Sequence, residues 1–371
     1  MIIYLYKYHL KIIYFFLKLL PINKKKITFL SRQVDSESLD FKEIRIPLEK
    51  KGYKTKTLCK RMGKGIKEYI KYNFHIYKQM YHIATSKVCI IDSYIIPISV
   101  LKHKKSLYVL QIWHSIGKIK MSGYQTLGHR KSTSVFDFEN NKKTAMIMQM
   151  HKNYNNIIAG GKSFNEFYCK SFNCDESLIL NYGLPRIDVL LRDEAKTKKT
   201  INKKYPDTTK KPNVCYLPTF RKYDVPELKD FVNGFDFEKF NLIIRCHPNQ
   251  KVEFNCDKLM NLDGFSTIDI LSIADYVITD YSAVALEAMV LDKKIIYYLF
   301  DHDKYMNENG MNLDPMKSLP NKCFIKKEDV FKCLTEKYDR RDLNKFRKQY
   351  LPDCMGKSTK LIVNKVLEHL K

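Results

Sequence analysis

The chain has 371 residues, with 66 Lys and Arg against 40 Asp and Glu, a formal net charge of +26 and 44% hydrophobic residues. That apolar content excludes a disordered chain, and only 13 Gly and 12 Pro exclude collagen-like and low-complexity classes. At roughly 150 residues per domain the length fits two domains. The positive excess concerns partners: nucleic acid, an anionic membrane or a phosphorylated substrate. Ten cysteines without a CxxC pair give neither a disulfide scaffold nor zinc-finger spacing, so a reducing compartment is expected.

Residues 1–22 come first. The stretch MIIYLYKYHLKIIYFFLKLL is broken by Lys7, His9, Lys11 and Lys18 and followed by Lys24, Lys25 and Lys26, which argues against both a signal peptide and a membrane span. On a helix, Tyr4, Lys7, Lys11, Tyr14 and Lys18 share one face, and the rest is Ile, Leu and Phe. This predicts an amphipathic helix lying on a membrane, lysines toward headgroups. The alternative is a first helix packed on the protein's own core. A second basic segment, with Lys60, Arg61, Lys64, Lys67, Lys71 and Lys78 among aromatic residues, fits the same anionic surface, or a solvated helix face.

Short β-branched runs then alternate with amphipathic stretches. Strands are predicted at 27–32, 88–92, 107–113, 156–160 and 178–182, and again at 213–218, 241–246, 276–280 and 294–300. Near-continuous apolar strands separated by helices imply α/β architecture with parallel sheets covered on both faces. Residues 193–212 are polar and aperiodic, which predicts a linker. The expected organisation is an amphipathic helix over 1–22, a first Rossmann-like domain over 23–192, the linker, a second over 213–350, and a C-terminal helix in 351–371 that packs back on the first domain. Two doubly wound domains in tandem place ligands at the carboxyl ends of strands, facing the cleft between them.

The residues that end the strands suit a phosphorylated ligand. His114 follows LYVLQIW, and a histidine there is placed for acid–base work. Thr219 and Arg221 follow NVCYLP, offering a hydroxyl and a guanidinium to phosphate oxygens. Arg245 and His247 end NLIIRC. Thr279, Asp280, Tyr281 and Ser282 end YVITD, with Ser282 as N-cap of a following helix. Residues 182–188, YGLPRID, form a turn carrying Arg186 and Asp188, which read equally well as a local ion pair. Singly, each has a structural explanation. As a set drawn from both halves of the chain, they indicate a binding cleft.

In order, Trp113-His114, Tyr182-Gly183-Leu184-Pro185-Arg186-Ile187-Asp188, Pro218-Thr219-Phe220-Arg221, His247-Pro248 and Thr279-Asp280-Tyr281-Ser282 resemble the teichoic-acid CDP-glycerol glycerophosphotransferases. The resemblance spans about residues 85–310. It implies two Rossmann-like domains of GT-B type and a peripheral enzyme on the cytoplasmic face of the plasma membrane. It further implies transfer of a polyol phosphate from a CDP-polyol, glycerol or ribitol, to a hydroxyl of a lipid-linked acceptor, either a polyprenyl-diphosphate saccharide or a polyol-phosphate polymer. The family's paired histidines correspond to His114 and His247, and its phosphate-binding turn to Thr279–Ser282. Two departures bear on the identity of donor and acceptor. Ser115-Ile116-Gly117 replaces the usual Gly-Thr-Pro. Leu286-Glu287-Ala288 stands where an Asp-containing stretch is usual, and Glu287 resembles the ribose-gripping acid of retaining GT-B glycosyltransferases. A nucleotide-sugar glycosyltransferase is therefore the alternative, and a non-enzymatic basic membrane- or nucleic-acid-binding protein the third reading. Nucleic acid is not expected as a partner. No cofactor is expected; Mg²⁺ is possible but not indicated by any carboxylate cluster.

Overall fold

The computed structural model describes every residue except Lys64, 128–136, 138–140, Pro248, Asn249 and Lys251, and the side chains of Ile66 and Pro320. The chain forms two compact units: residues 1–116, 121–186 and 357–371 make the first, and residues 117–120 and 187–356 the second. Each is mixed α/β around a parallel sheet.

The first unit's strands are β1 (Asn23–Ser31), β2 (Lys54–Cys59), β3 (Ser86–Ile91), β4 (Tyr108–Gln111), β5 (Asn156–Ile158) and β6 (Ile179–Leu180). They lie in the order β2-β1-β3-β4-β5-β6, every pairing parallel. Ile27, Phe29, Val88, Ile90 and Leu110 are fully buried, as expected for strands covered on both faces. The predicted strands are present. β2 was not legible because KTKTLC is an edge strand whose first residues alternate between exposed and half-buried.

Helix α1 (Ile2–Leu17) packs on α3 (Ile66–Thr85) through one face. Ile3, Leu10 and Tyr14 are buried, Tyr6 donates to Asn73 Oδ1 at 2.7 Å, and His9 Nε2 lies 2.8 Å from Tyr77 Oη. The lysines depart from expectation. Lys7 Nζ donates to the Ile147 carbonyl at 2.6 Å and Lys18 Nζ to the Lys102 carbonyl at 3.1 Å, so of these three lysines only Lys11 is exposed. The reason is capacity: the lysine stems cover apolar surface while their ammonium groups satisfy carbonyls at helix and loop ends. The bare face is instead apolar, with Ile12, Phe15 and Phe16 each at least 60% exposed.

The second unit holds β7 (Asn213–Leu217), β8 (Asn241–Ile244), β9 (Tyr276–Thr279), β10 (Lys294–Tyr298) and β11 (Cys323–Phe324) in the parallel order β11-β10-β9-β7-β8. Relative to its own first strand this is the same order as in the first unit, reversing direction between the first and third strands. Such a reversal is where open α/β sheets bind ligands. Val214, Tyr216, Phe231, Leu242, Ile278 and Ile296 form its core.

The boundaries differ from those expected. The division falls at Arg186/Ile187 and again at Gly356/Lys357, not at 192/193 and 350/351. Most of the expected linker 193–212 is ordered, as the end of helix Pro185–Lys204 and a 3₁₀ turn at Pro206–Thr209. That helix is largely polar and held by few apolar side chains, buried Ile187 and Leu190 near its start and Ile201 three turns beyond Leu190, and by Lys293 bonding Glu194 at 2.8 Å. Its periodicity is correspondingly faint. The C-terminal helix Ser358–Glu368 belongs to the first unit, where His369 stacks on Tyr108 at 3.6 Å and 12°.

Candidate functional site

In the first unit, the site is built where β3 and β4 end. His114 Nδ1 lies 3.0 Å from the Asp92 carbonyl. A carbonyl only accepts, so Nδ1 is the donor of this bond, and in the neutral imidazole the lone pair then sits on Nε2, the tautomer that a general base at Nε2 requires. The ring leans on Trp113, 4.1 Å between centroids and tilted 34°. The following loop is fixed from below: Tyr168 donates to the Ser115 carbonyl at 3.2 Å, and a Cβ on Gly160 would meet the Ile116 carbonyl oxygen at 2.3 Å. Only glycine at 160 lets the two backbones approach this closely. Beneath His114, burial pushes the Asp92 carboxyl up to about 6, against the pull of hydrogen bonds from Ser31 and Ser93.

The Arg186 backbone N–H and Nε each donate to the buried Asp40 carboxylate at 2.8 Å, and Nη2 bonds it as well. Asp40 lies in the first turn of α2 (Leu39–Lys50), which Ser38 caps by accepting the Phe41 N–H. This ion pair ties the end of the first unit's last strand to the helix after its first. Asp188 lies half-buried just past the unit boundary.

In the second unit, Arg221, Asp280 and Asp301 form a buried charge cluster at the ends of β7, β9 and β10. Arg221 Nη1 donates to Asp280 Oδ2 at 2.6 Å, Nε to Asp301 Oδ2 at 2.8 Å and Nη2 to Asp301 Oδ1 at 3.0 Å. Its guanidinium side chain is only 1% exposed. Burial works against these charges, yet pairing outweighs it, raising Arg221 and lowering Asp301 from their ordinary values. Rings of Tyr281, Phe300 and Tyr305 surround the guanidinium at 4.9–5.3 Å. Direct contact between Arg221 and a ligand phosphate, expected from sequence, is thus not offered by this arrangement: the side chain is enclosed and holds two carboxylates.

Those carboxylates shape the turn. Asp280 Oδ1 accepts the Thr219 N–H at 3.0 Å and the Tyr281 N–H at 2.6 Å, and Thr279 Oγ1 donates to the Leu217 carbonyl at 2.8 Å. Thr279, Asp280 and Tyr281 are buried and Ser282 is half-exposed. Helix Val284–Val290 has Ala283, not the expected Ser282, at its N-cap; Ser282 Oγ accepts the Val284 N–H at 3.3 Å from one residue further back, and Glu287 in this helix is buried. Gln250 links two strand ends: its Oε1 accepts the Arg221 N–H at 2.8 Å, and its N–H donates to the His247 carbonyl at 2.7 Å. His247 is exposed, its ring 5.6 Å from Phe220, whereas Arg245 Nη2 donates to the Leu262 carbonyl at 3.0 Å. Pro248, the second half of the His-Pro motif, lies outside the described residues.

The sequence reading missed Asp301, Gln250, Asp92, Gln111 and Asp40. Two of them carry the signal already used elsewhere, since Asp92 and Asp301 follow the apolar runs VCII and KIIYYLF. A cavity of about 610 Å³ on the second unit, lined by Asn312, Asp314, Lys317, Lys345 and Phe346 among others, includes none of the expected site residues. No described helix is long and apolar enough to cross a membrane.

The teichoic acid ribitol-phosphate primase of Bacillus spizizenii is 26% identical over 308 residues, 78% of this chain and 77% of that protein. The teichoic acid glycerol-phosphate primase of Bacillus subtilis is 23% identical over 303 residues, covering 78% and 76%. Among solved structures, a CDPG-soaked variant of the wall teichoic acid polymerase TagF superposes with a TM-score of 0.74 over 94% of this chain and 89% of that one, at 16% identity. A UDP-GlcNAc 2-epimerase of Methanocaldococcus jannaschii shares the fold more distantly, with a TM-score of 0.57 over 92% and 99% at 15% identity. The family model for CDP-glycerol:poly(glycerophosphate) glycerophosphotransferase matches residues 12–368. The resemblance read from the strand-end motifs is borne out, and the chain belongs to this family of CDP-glycerol phosphotransferase enzymes.

Proposed function

We propose that the chain transfers glycerol phosphate or ribitol phosphate from a CDP-polyol to a hydroxyl of a lipid-linked teichoic-acid or capsule-type acceptor. In this reading the units are the acceptor and donor halves of a GT-B type enzyme. The acceptor oxygen attacks the β-phosphorus, a new P–O bond forms, and the bond to the bridging oxygen breaks so that CMP leaves with its electron pair. His114 Nε2 takes the hydroxyl proton, because an alcohol is a poor nucleophile at neutral pH. His247 and the Ser282 turn stabilise charge on the phosphoryl and leaving oxygens. Arg221 contributes by holding the Asp280 turn. The observation that carries the assignment of the base is the Nδ1 bond to the Asp92 carbonyl, which leaves the basic lone pair on Nε2.

The enzyme is taken as peripheral on the cytoplasmic face of the plasma membrane. Support comes from the bare apolar face of α1 beside Phe74 and Ile70 of α3, 70% and 55% exposed, with Lys67, Lys71 and Lys78 also exposed. Replacing Ile12 and Phe16 by Glu should reduce sedimentation with anionic vesicles while leaving turnover on a short soluble acceptor intact. Deleting residues 1–22 is a poorer test, since it also removes buried Leu10 and Tyr14.

The test of the reaction is CMP release with CDP-glycerol, CDP-ribitol and a panel of nucleotide sugars, in buffer with and without EDTA. Consumption of a CDP-polyol, insensitive to EDTA, is expected. Consumption of a nucleotide sugar alone would establish the glycosyltransferase reading instead, and loss of rate in EDTA would assign charge stabilisation to a metal ion.

A further inference from the structure

We infer that Gln111 is a positioning residue for His114, acting through the backbone of Trp113; the inference rests on the reading of His114 as the base. Gln111 is the last residue of β4 and fully buried. Its Oε1 accepts the Trp113 N–H at 2.9 Å, and its Nε2 donates to the Ser93 carbonyl at 3.1 Å. Trp113 has φ +57°, a left-handed conformation that a bulky side chain adopts only when its surroundings impose it. The Gln111 bond to its N–H is one such constraint. The Trp113 ring wedged against Phe172, 5.1 Å away, is another.

The consequence is geometric. The backbone leaves the sheet after Ile112, whose N–H still bonds the Ile91 carbonyl at 2.7 Å, and reverses sharply at Trp113. That reversal brings His114 back over the end of β3. Two successive carbonyls there receive the two side chains: Asp92 accepts from His114 and Ser93 accepts from Gln111. Gln111 thus grips both the residue that turns the chain and the strand end that fixes the imidazole. An amide is suited to this task because it donates and accepts at once within one buried side chain. A carboxylate offers no donor for Ser93, and an aliphatic side chain offers neither group.

The test uses the full chain with Gln111→Met, which keeps side-chain length and removes both hydrogen bonds. Gln111→Asn, too short to span both partners, serves if the first variant does not fold. Three quantities are read: kcat and KM for the CDP-polyol across pH, the His114 tautomer from its ring ¹⁵N shifts, and thermal unfolding. A drop in kcat on the order of 10- to 100-fold is expected, the scale of a misplaced reacting group, with donor KM nearly unchanged. The low-pH limb of kcat should move to lower pH, because the imidazolium loses its carbonyl partner, and the ring should populate both neutral tautomers. A variant that melts earlier but keeps the Nδ1–H tautomer and the wild-type pH limb would reduce Gln111 to a structural residue and overturn the inference. His114→Ala is run in parallel. If that variant keeps full turnover the reading of the base fails, whereas the tautomer measurement still decides what Gln111 does.

Discussion

The two sheets share one strand order, yet the His114 loop of the first and the Arg221 and Asp280 loops of the second are fixed by opposite means. In the first unit the loop bearing His114 is held by neutral hydrogen bonds to backbone carbonyls, with a left-handed Trp113 at its bend. In the second unit the corresponding loops are locked by a buried guanidinium between two carboxylates. The difference teaches where each half is vulnerable. A neutral network holds an imidazole by direction alone, so its failure is a misplaced ring. A buried ion cluster fixes its turn firmly but fails badly when one charge is removed.

The largest effect should therefore come from the second unit. Arg221→Met leaves Asp280 and Asp301 buried without their counter-charge and should destabilise the protein by about 3–5 kcal/mol, read as a shift in the urea midpoint. A loss below about 1 kcal/mol, with impaired donor binding instead, would return Arg221 to the role of a phosphate ligand.

In the first unit the sensitive carboxyl is Asp92. Its ordinary value is 3.8 and burial raises it to about 6, so between those values the native state holds a proton that the unfolded chain releases. Stability from this group is full at low pH and declines as pH rises through 6. Asp92→Asn removes the penalty, and it should stabilise the protein at pH 8 by about 2–3 kcal/mol relative to its effect at pH 4. Equal effects at both values would mean that the carboxyl is not held as described.

The smallest effect separates the two faces of α1. Tyr14 donates to His103 Nδ1 at 2.8 Å, while His103 Nε2 donates to the Ile98 carbonyl, also at 2.8 Å. Burial first of all depresses His103 to about 4, so this bond persists at neutral pH. Tyr14→Phe should cost about 1 kcal/mol in thermal unfolding without altering vesicle binding. No change in melting would mean that the inner face contributes nothing to docking α1.

How much of this was legible follows from the same physics. The nine predicted strands stand out because both faces of each are covered, which makes their sequences continuously apolar. The polar edge strand β2 and the sparsely anchored helix Pro185–Lys204 lack that signal. Strand-end residues were readable because a parallel sheet delivers them to one edge. Their partners were not: Arg221 meets Asp301 across 80 residues and Arg186 meets Asp40 across 146, distances over which a single sequence carries no pairing information. The lysine face of α1 was read correctly as a face but turned the wrong way, since periodicity gives a stripe and only packing shows which side is covered.

The central claim is that His114 and His247 carry the transfer chemistry. Its most direct test is single-turnover CMP formation from the CDP-polyol by the wild type, His114→Ala and His247→Ala, each first shown to unfold cooperatively at the wild-type temperature. The account predicts at least a roughly hundredfold slower step in both variants, the scale of losing a general base or a transition-state donor. Folded variants that both turn over at near wild-type rates would contradict it.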